Sequence, residues 1–247
     1  MLGLVALVVV AVAAAGMVPP RAGSDVRTRS QDAQPPVLLV PGYGGGTVGL
    51  EVMASRLRRD GREVTVVPLA GDGTGDLHAQ AAVLQRAVES TDTPSVDVVG
   101  YSAGGVIVRL WARAYDGGSM ARRIVTLGSP HHGSGLAALA RVLAPRSCPM
   151  ACRQLATGSG LLRQLNSGDE TPEGPAWVSI WTADDQVSAP PGTASLAGAL
   201  DFSVQQVCPG ARVSHGELPE SPLVISMVAA QLRRTAPAVP GRQLCTV

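Results

Sequence analysis

The sequence predicts an α/β fold with a mostly parallel sheet covered by helices on both faces. Three observations carry that expectation. Short apolar, β-branched runs alternate with helical patterns along the whole chain, and strands separated by helices pair in parallel. The 247 residues, 45% of them apolar, suffice for one sizeable α/β core, whereas two domains would be cramped. The 29 glycines and 19 prolines suit many loops between short elements, and the apolar content is too high for disorder.

Bulk charge narrows the partners. A net charge of +1 with 16% charged residues offers no basic face, which argues against nucleic acid. Aromatic residues are only 3%, with Phe202 the sole phenylalanine, so the core is built from Val, Leu, Ala and Ile.

Residues 1–34 stand apart from the rest. Met1 to Val18 is nearly unbroken Leu, Val and Ala, followed by Pro19-Pro20-Arg21. It reads as a secretory signal with small residues around Ala13 and Ala15 near the cut, or as an uncleaved membrane anchor. The lack of Lys or Arg before the run weakens both and leaves room for a start further upstream. Export is preferred, because Arg21 to Pro36 has the polar composition of a mature N-terminal linker. The folded domain is expected over 35–247. The four cysteines, Cys148, Cys152, Cys208 and Cys245, agree with export. Sequence leaves three pairings open, of which Cys148–Cys152 and Cys208–Cys245 are preferred. A metal site is disfavoured, since Cys-x3-Cys has no histidine nearby to complete a tetrahedral set.

In chain order, Val37–Val40 reads as a strand that runs into Pro41-Gly42-Tyr43-Gly44-Gly45-Gly46. No Gly-Lys-Ser/Thr follows, so this is not a phosphate loop. Thr47 to Arg59 is an amphipathic helix with Leu50, Val52, Met53 and Leu57 against Arg56, Arg58 and Arg59. Glu63 to Leu69 is the next strand, and Asp76 caps a helix to Glu89. Further strands are expected at Arg122–Leu127 and Trp177–Thr182, with a weak last one at Ala211–Ser214. Gly135 to Leu143 is a small apolar helix, either flanking a substrate pocket or facing the core. Pro222 to Arg233 is the closing helix.

The chain is organised around Ser95 to Val108. Val96, Val98 and Val99 form a buried strand, and a helical pattern resumes through Val106, Leu110 and Trp111. Between them lies Gly100-Tyr101-Ser102-Ala103-Gly104. In so sharp a strand–turn–helix, glycines two residues either side of Ser102 avoid a collision with neighbouring backbone, and the serine hydroxyl is held above the sheet in a strained conformation. The helix N-terminus there favours developing negative charge. The amides of Tyr43 and Ala103 are the candidate oxyanion donors, worth on the order of 3 kcal/mol each.

A serine hydroxyl needs an adjacent base, held by a third group. His215, in Val213-Ser214-His215-Gly216, is the preferred base, because Gly216 lets its loop turn the imidazole toward Ser102. His78 reads as a solvated surface residue. His131 and His132 are rival bases whose expected role is shaping the wall of the site. The carboxylate is sought between serine and histidine in chain order. The strand through Trp181 is followed by Asp184 and Asp185, and Asp185 is preferred. Asp201 and Glu217 are remote alternatives, and Asp97 reads as a strand residue near the sheet edge.

Val40-Pro41-Gly42-Tyr43-Gly44-Gly45-Gly46, Gly100-Tyr101-Ser102-Ala103-Gly104-Gly105, Leu127-Gly128-Ser129-Pro130-His131-His132-Gly133 and Asp185 with His215-Gly216 together resemble the extracellular lipases and esterases of the α/β-hydrolase superfamily. The likeness is to small secreted bacterial triacylglycerol lipases, including actinobacterial forms, over about Pro35 to Arg233. It implies an α/β-hydrolase fold with a minimal lid or none. It also implies Ser102 as nucleophile, Asp185 as carboxylate, His215 as base, and Tyr43 and Ala103 as oxyanion amides. Val187 to Pro190 matches the hydrophobic-to-proline segment that follows the family's carboxylate, which supports Asp185 over Asp184. The family's frequent His-Gly before the oxyanion loop is Pro41-Gly42 here.

The expected protein is therefore a secreted or envelope-associated serine hydrolase of carboxylic esters, working through an acyl-enzyme. It needs no cofactor and is expected to be a monomer, with an ester or lipid substrate, in one setting at a lipid–water interface. The alternatives are an acyltransferase or polyester depolymerase with the same triad, and an inactive hydrolase-like binding protein.

Overall fold

The computed structural model describes residues 29–246. The expected signal or anchor, Met1 to Val18, lies outside the described residues, and so do residues 21–28 of the linker. Among the described residues six strands form one sheet: β1 (Val37–Val40), β2 (Val64–Val66), β3 (Val96–Tyr101), β4 (Ala121–Leu127), β5 (Ala176–Trp181) and β6 (Leu200–Ser203). They lie in the order β2-β1-β3-β4-β5-β6, and every neighbouring pair is parallel. The intervening helices are α1 (Val48–Arg59), α2 (Leu77–Glu89), α3 (Ala103–Ala114), α4 (Gly117–Met120), α5 (Gly135–Leu143), α6 (Met150–Leu155), α7 (Gly160–Leu165), α8 (Val204–Val207) and α9 (Pro222–Arg233).

Strand alternation sorts the core into two layers. Val37, Leu39, Val99, Val125, Val178 and Ile180 pack with α1 and α9 on one face. Leu38, Val40, Val96, Val98, Ile124 and Trp177 pack with α2 and α3 on the other. Strand β1 sits between β2 and β3, so chain order reverses direction there and the loops leaving β1 and β3 diverge. In such sheets the crevice at the C-terminal strand ends is where ligands bind. It is here that Tyr43 and Ser102 lie.

Three sequence expectations change. The strand expected over Glu63–Leu69 shortens to Val64–Val66, because Val67 donates its last ladder bond to the Leu39 carbonyl (2.9 Å) and Pro68 has no N–H to continue. Ala211–Ser214 is not a strand. Its backbone is taken by side chains instead: Thr182 Oγ1 donates to the Val213 carbonyl (2.6 Å), and the Ser214 amide donates to Glu217 (2.7 Å). The last strand is Leu200–Ser203, a four-residue edge the sequence reading passed over. Asp97 is not near a sheet edge but on central β3, fully buried.

At this N-terminal end of β3, Asp97 accepts from Arg122 Nε at 2.8 Å and Nη2 at 2.5 Å, and from Arg62 Nη2 at 2.7 Å. Arg122 and Arg123 also hold Gln31, so the end of the linker is tied to the pole away from Ser102. Both preferred disulfides are present, Cys148–Cys152 and Cys208–Cys245. Among the described residues no helix is long and apolar enough to cross a membrane.

Candidate active site

Ser102 sits between the end of β3 and the start of α3 with φ +53° and ψ −123°, a conformation that non-glycine residues rarely adopt. The tightness of the turn explains its glycines. A Cβ on Gly100 would lie 2.6 Å from the Gly105 nitrogen, and one on Gly104 would collide with the Val40 carbonyl and lie 2.7 Å from that of Pro41. The Ser102 amide is anchored on the Leu127 carbonyl (2.8 Å), so the strained turn is fixed to β4.

The Ser102 hydroxyl faces His215, with Oγ and Nε2 2.9 Å apart. Nδ1 of the same ring lies 2.7 Å from Asp185 Oδ2. The other carboxylate oxygen accepts from the amides of Val187 (2.9 Å) and Ser188 (2.8 Å), which leaves Oδ2 directed at the imidazole. All three side chains are buried: Ser102 is 8%, His215 7% and Asp185 4% exposed. At those values little water reaches the chain of hydrogen bonds, and each is electrostatically stronger than in solvent.

The loops carrying these groups come from far apart in sequence. Thr182 joins the Asp185 loop to the His215 loop through the Val213 carbonyl. Glu217 accepts from the Ser214 amide and hydroxyl, folding the turn that presents His215, and those bonds hold its carboxyl below the usual range. Tyr101 donates its hydroxyl to the His215 carbonyl (3.1 Å), with the two rings 5.3 Å apart. Burial, then the nearby Asp185 and Glu220, push the Tyr101 phenol up to about 12.

The other candidates fall elsewhere. Asp184 accepts from Arg212 (3.2 Å) and Gln205 (3.2 Å) and not from His215. Asp201 accepts from Ser195, and Glu217 is the turn brace just described. His78 is exposed at the start of α2. His131 and His132 do not line the cleft as expected. His131 is fully buried, its Nε2 3.1 Å from Thr126 Oγ1, and His132 pairs with Glu170 at 2.8 Å. The reason is local: each ring is held by a partner other than Ser102, and Asn166 fixes the His131 carbonyl (2.9 Å). The sequence reading missed Tyr101, Thr182 and Ser188 as braces of the site. The Asp-x-x-Ser spacing of Asp185 and Ser188, an aspartate capping its own turn, is a signal that points to Ser188.

An apolar cleft of about 260 Å³ opens beside Ser102, lined in part by Tyr43, Pro130, Ala137, Ala140, Leu155 and Val187. Tyr43 belongs to the Gly-rich loop after β1, so this loop and the Ser102 turn border one space. Among the described residues, neither the Tyr43 nor the Ala103 amide has an internal acceptor, so both remain available as donors. No group of three or more His, Cys, Asp or Glu among the described residues is placed to hold a metal ion.

Residues 35–146, which hold β1, the Gly-rich loop, β3, the strained serine turn and β4, match a family model described as the alpha/beta hydrolase fold. The chain has an α/β-hydrolase fold. The matched residues include the Ser102 turn and the Gly-rich loop and stop short of Asp185 and His215. No curated protein matches the sequence. Among solved structures, lipase B of Aspergillus fumigatus superposes with a TM-score of 0.69 at 16% identity, over 88% of this chain and 56% of that one. The chain thus spans little more than half the length of that lipase. The mature form of Bacillus licheniformis lipase BlEst2 gives 0.67 at 19% identity, over 81% and 92%. A metagenome-derived structure described among the lipolytic enzymes LipS and LipT gives 0.61 at 15%, over 82% and 94%. At these identities the likeness is one of α/β-hydrolase architecture.

Proposed function

We propose that this α/β-hydrolase-fold protein hydrolyses carboxylic esters through an acyl-enzyme on Ser102, and that it works outside the cytoplasm. The observation that carries the reading is the hydrogen-bonded chain from Ser102 Oγ through His215 to Asp185, at the mouth of an apolar cleft. The lipolytic names of the superposing structures agree with it, and two disulfides suit an oxidising compartment.

In this reading the ester acyl group lies in the cleft with its carbonyl carbon against Ser102 Oγ. His215 Nε2 takes the hydroxyl proton as Oγ forms its bond to that carbon, and the carbonyl π pair moves onto oxygen. The Tyr43 and Ala103 amides donate to that oxygen, each contributing on the order of 3 kcal/mol to the transition state. Collapse breaks the C–O bond to the alcohol, which leaves with the proton from His215. Water then repeats the sequence on the acyl-enzyme: His215 takes its proton, and the carboxylic acid departs as Ser102 regains its hydrogen. Asp185, neutralising the imidazolium without taking its proton, keeps Nδ1 protonated and Nε2 free as base.

The test is a fluorophosphonate probe with a panel of p-nitrophenyl esters, on the folded protein. A Ser102 adduct, lost in Ser102→Ala, and ester turnover lowered by several orders of magnitude in His215→Ala are the expected results. Absence of an adduct together with absence of turnover would remove the reading.

A further inference from the structure

Helix α5 forms a wall of the cleft, yet only Ala137 of its residues packs against the hydrophobic core. No residue of α5 is buried, and Leu139, Val142 and Leu143 are 55%, 69% and 72% exposed. Its cleft-facing residues are Leu136, Ala137 and Ala140. Ala137 and Ala140 stand three apart, hence on one helical face, and both are methyl side chains where a larger residue would project into the cleft.

Ties at its two ends position α5. At the start, the Ser134 hydroxyl donates to the Val187 carbonyl (2.7 Å), on the loop that carries Asp185, and its amide donates to the Leu155 carbonyl (2.9 Å). At the far end, the chain turns through Pro145–Ser147 into the Cys148–Cys152 disulfide. Arg153 donates from Nε to the Cys148 carbonyl (2.9 Å) and from Nη2 to that of Pro145 (3.0 Å). Cys152 lies on α6, which is docked by buried Ala151 and Leu155, by the Ala151 amide on the Thr74 carbonyl (3.0 Å) and by Gln154 on Asp76 (2.6 Å). The disulfide therefore ties the segment leaving α5 to docked α6, and Cys152 itself lines the cleft.

We propose that Ala137 and Ala140 set the length of acyl chain the cleft accepts, and that the Cys148–Cys152 link holds the wall that carries them; this rests on the ester-hydrolase reading above. Ala137 is one turn nearer Ser134 and the Asp185 loop than Ala140. A larger side chain at 140 crowds the distal methylenes of the acyl chain, and one at 137 crowds methylenes closer to the carbonyl. The substrates are esters of a single linear acyl chain that runs along α5 toward Leu155 and Cys152.

The experiment measures kcat/KM for p-nitrophenyl acetate, butyrate and octanoate, with fluorophosphonate labelling of every variant. Ala140→Leu is expected to lower the octanoate-to-acetate ratio about tenfold or more, mainly through KM. Ala137→Leu is expected to lower the butyrate-to-acetate ratio as well. The paired change Cys148→Ser with Cys152→Ser is expected to lower the octanoate ratio while labelling persists. Val142→Ser, pointing out to solvent from the same helix, is the control and is expected to leave the ratios unaltered. Unchanged ratios in labelled Ala137→Leu and Ala140→Leu would overturn the wall assignment and leave the ester reading standing. An equal shift in Val142→Ser would overturn it too, by showing a general loosening of α5. A wild-type protein that neither labels nor turns over would remove the ester reading itself, and this inference with it.

Discussion

His215 Nδ1 lies 2.7 Å from Asp185 Oδ2, while Asp184, the adjacent residue, turns outward to Arg212. Two neighbouring carboxylates thus have different work, set by the direction of one loop. Asp185→Asn removes the acceptor that keeps His215 in its base-competent tautomer, and kcat for an ester is expected to fall about ten-thousand-fold with the fold retained. Asp184→Asn loses only a pair to an exposed arginine and is expected to stay within about threefold of wild type. Steady-state kinetics on both, with circular dichroism, checks the assignment. Equal losses would undo it.

The Ser102 turn has no room at Gly104. Gly104→Ala would drive a methyl group into the Val40 and Pro41 carbonyls, and neither backbone can withdraw without disturbing β1. The expected cost is about 1–3 kcal/mol, the usual range for overpacking, read as a lower urea midpoint. Loss of fluorophosphonate labelling under native conditions should accompany it, because the displaced turn carries the nucleophile.

Asp97 faces two guanidinium groups and all three side chains are buried. Asp97→Ala leaves Arg62 and Arg122 as uncompensated buried charges, and stability should drop by about 3–5 kcal/mol. The site lies at the other end of β3, so the protein that remains folded should label at the normal rate. A drop of under about 1 kcal/mol in urea unfolding would show that the arginines find other partners.

Burial holds the His131 imidazole well below its usual value of 6.5, with the nearby Arg109 and His132 acting in the same direction. Below that value the unfolded chain binds a proton that the folded one does not. The neutral-form stability is therefore complete above about pH 6.5 and declines as pH falls toward the folded value. Urea midpoints at about pH 7.5 and about pH 5 should differ more for wild type than for His131→Gln, which has no such proton to bind. Parallel pH dependence in the two would contradict the buried neutral imidazole.

What could be read from the residues is what local chemistry decides. The β-branched run of Val96 to Val99, closed by Gly100 and Gly104, points to strand, turn and helix with Ser102 at the apex, and in the structure a Cβ at either glycine would collide with neighbouring backbone. The alternation of strands and helices specifies a parallel sheet, and the expected disulfide pairing agrees with the structure. β6 escaped because Leu200 to Ser203 is four residues long with only Leu200 and Phe202 to mark an apolar face, too little for a period to emerge.

Tertiary structure alone decided that Asp185 meets His215, that His131 is buried against Thr126 rather than lining the cleft, and that α5 forms a wall of the cleft. Each depends on contacts between residues thirty or more positions apart, or on which side of a loop is buried. A hydrogen bond of a few ångströms is set by how loops from different strands converge on one edge of the sheet, and the order of residues in the chain does not encode that convergence locally.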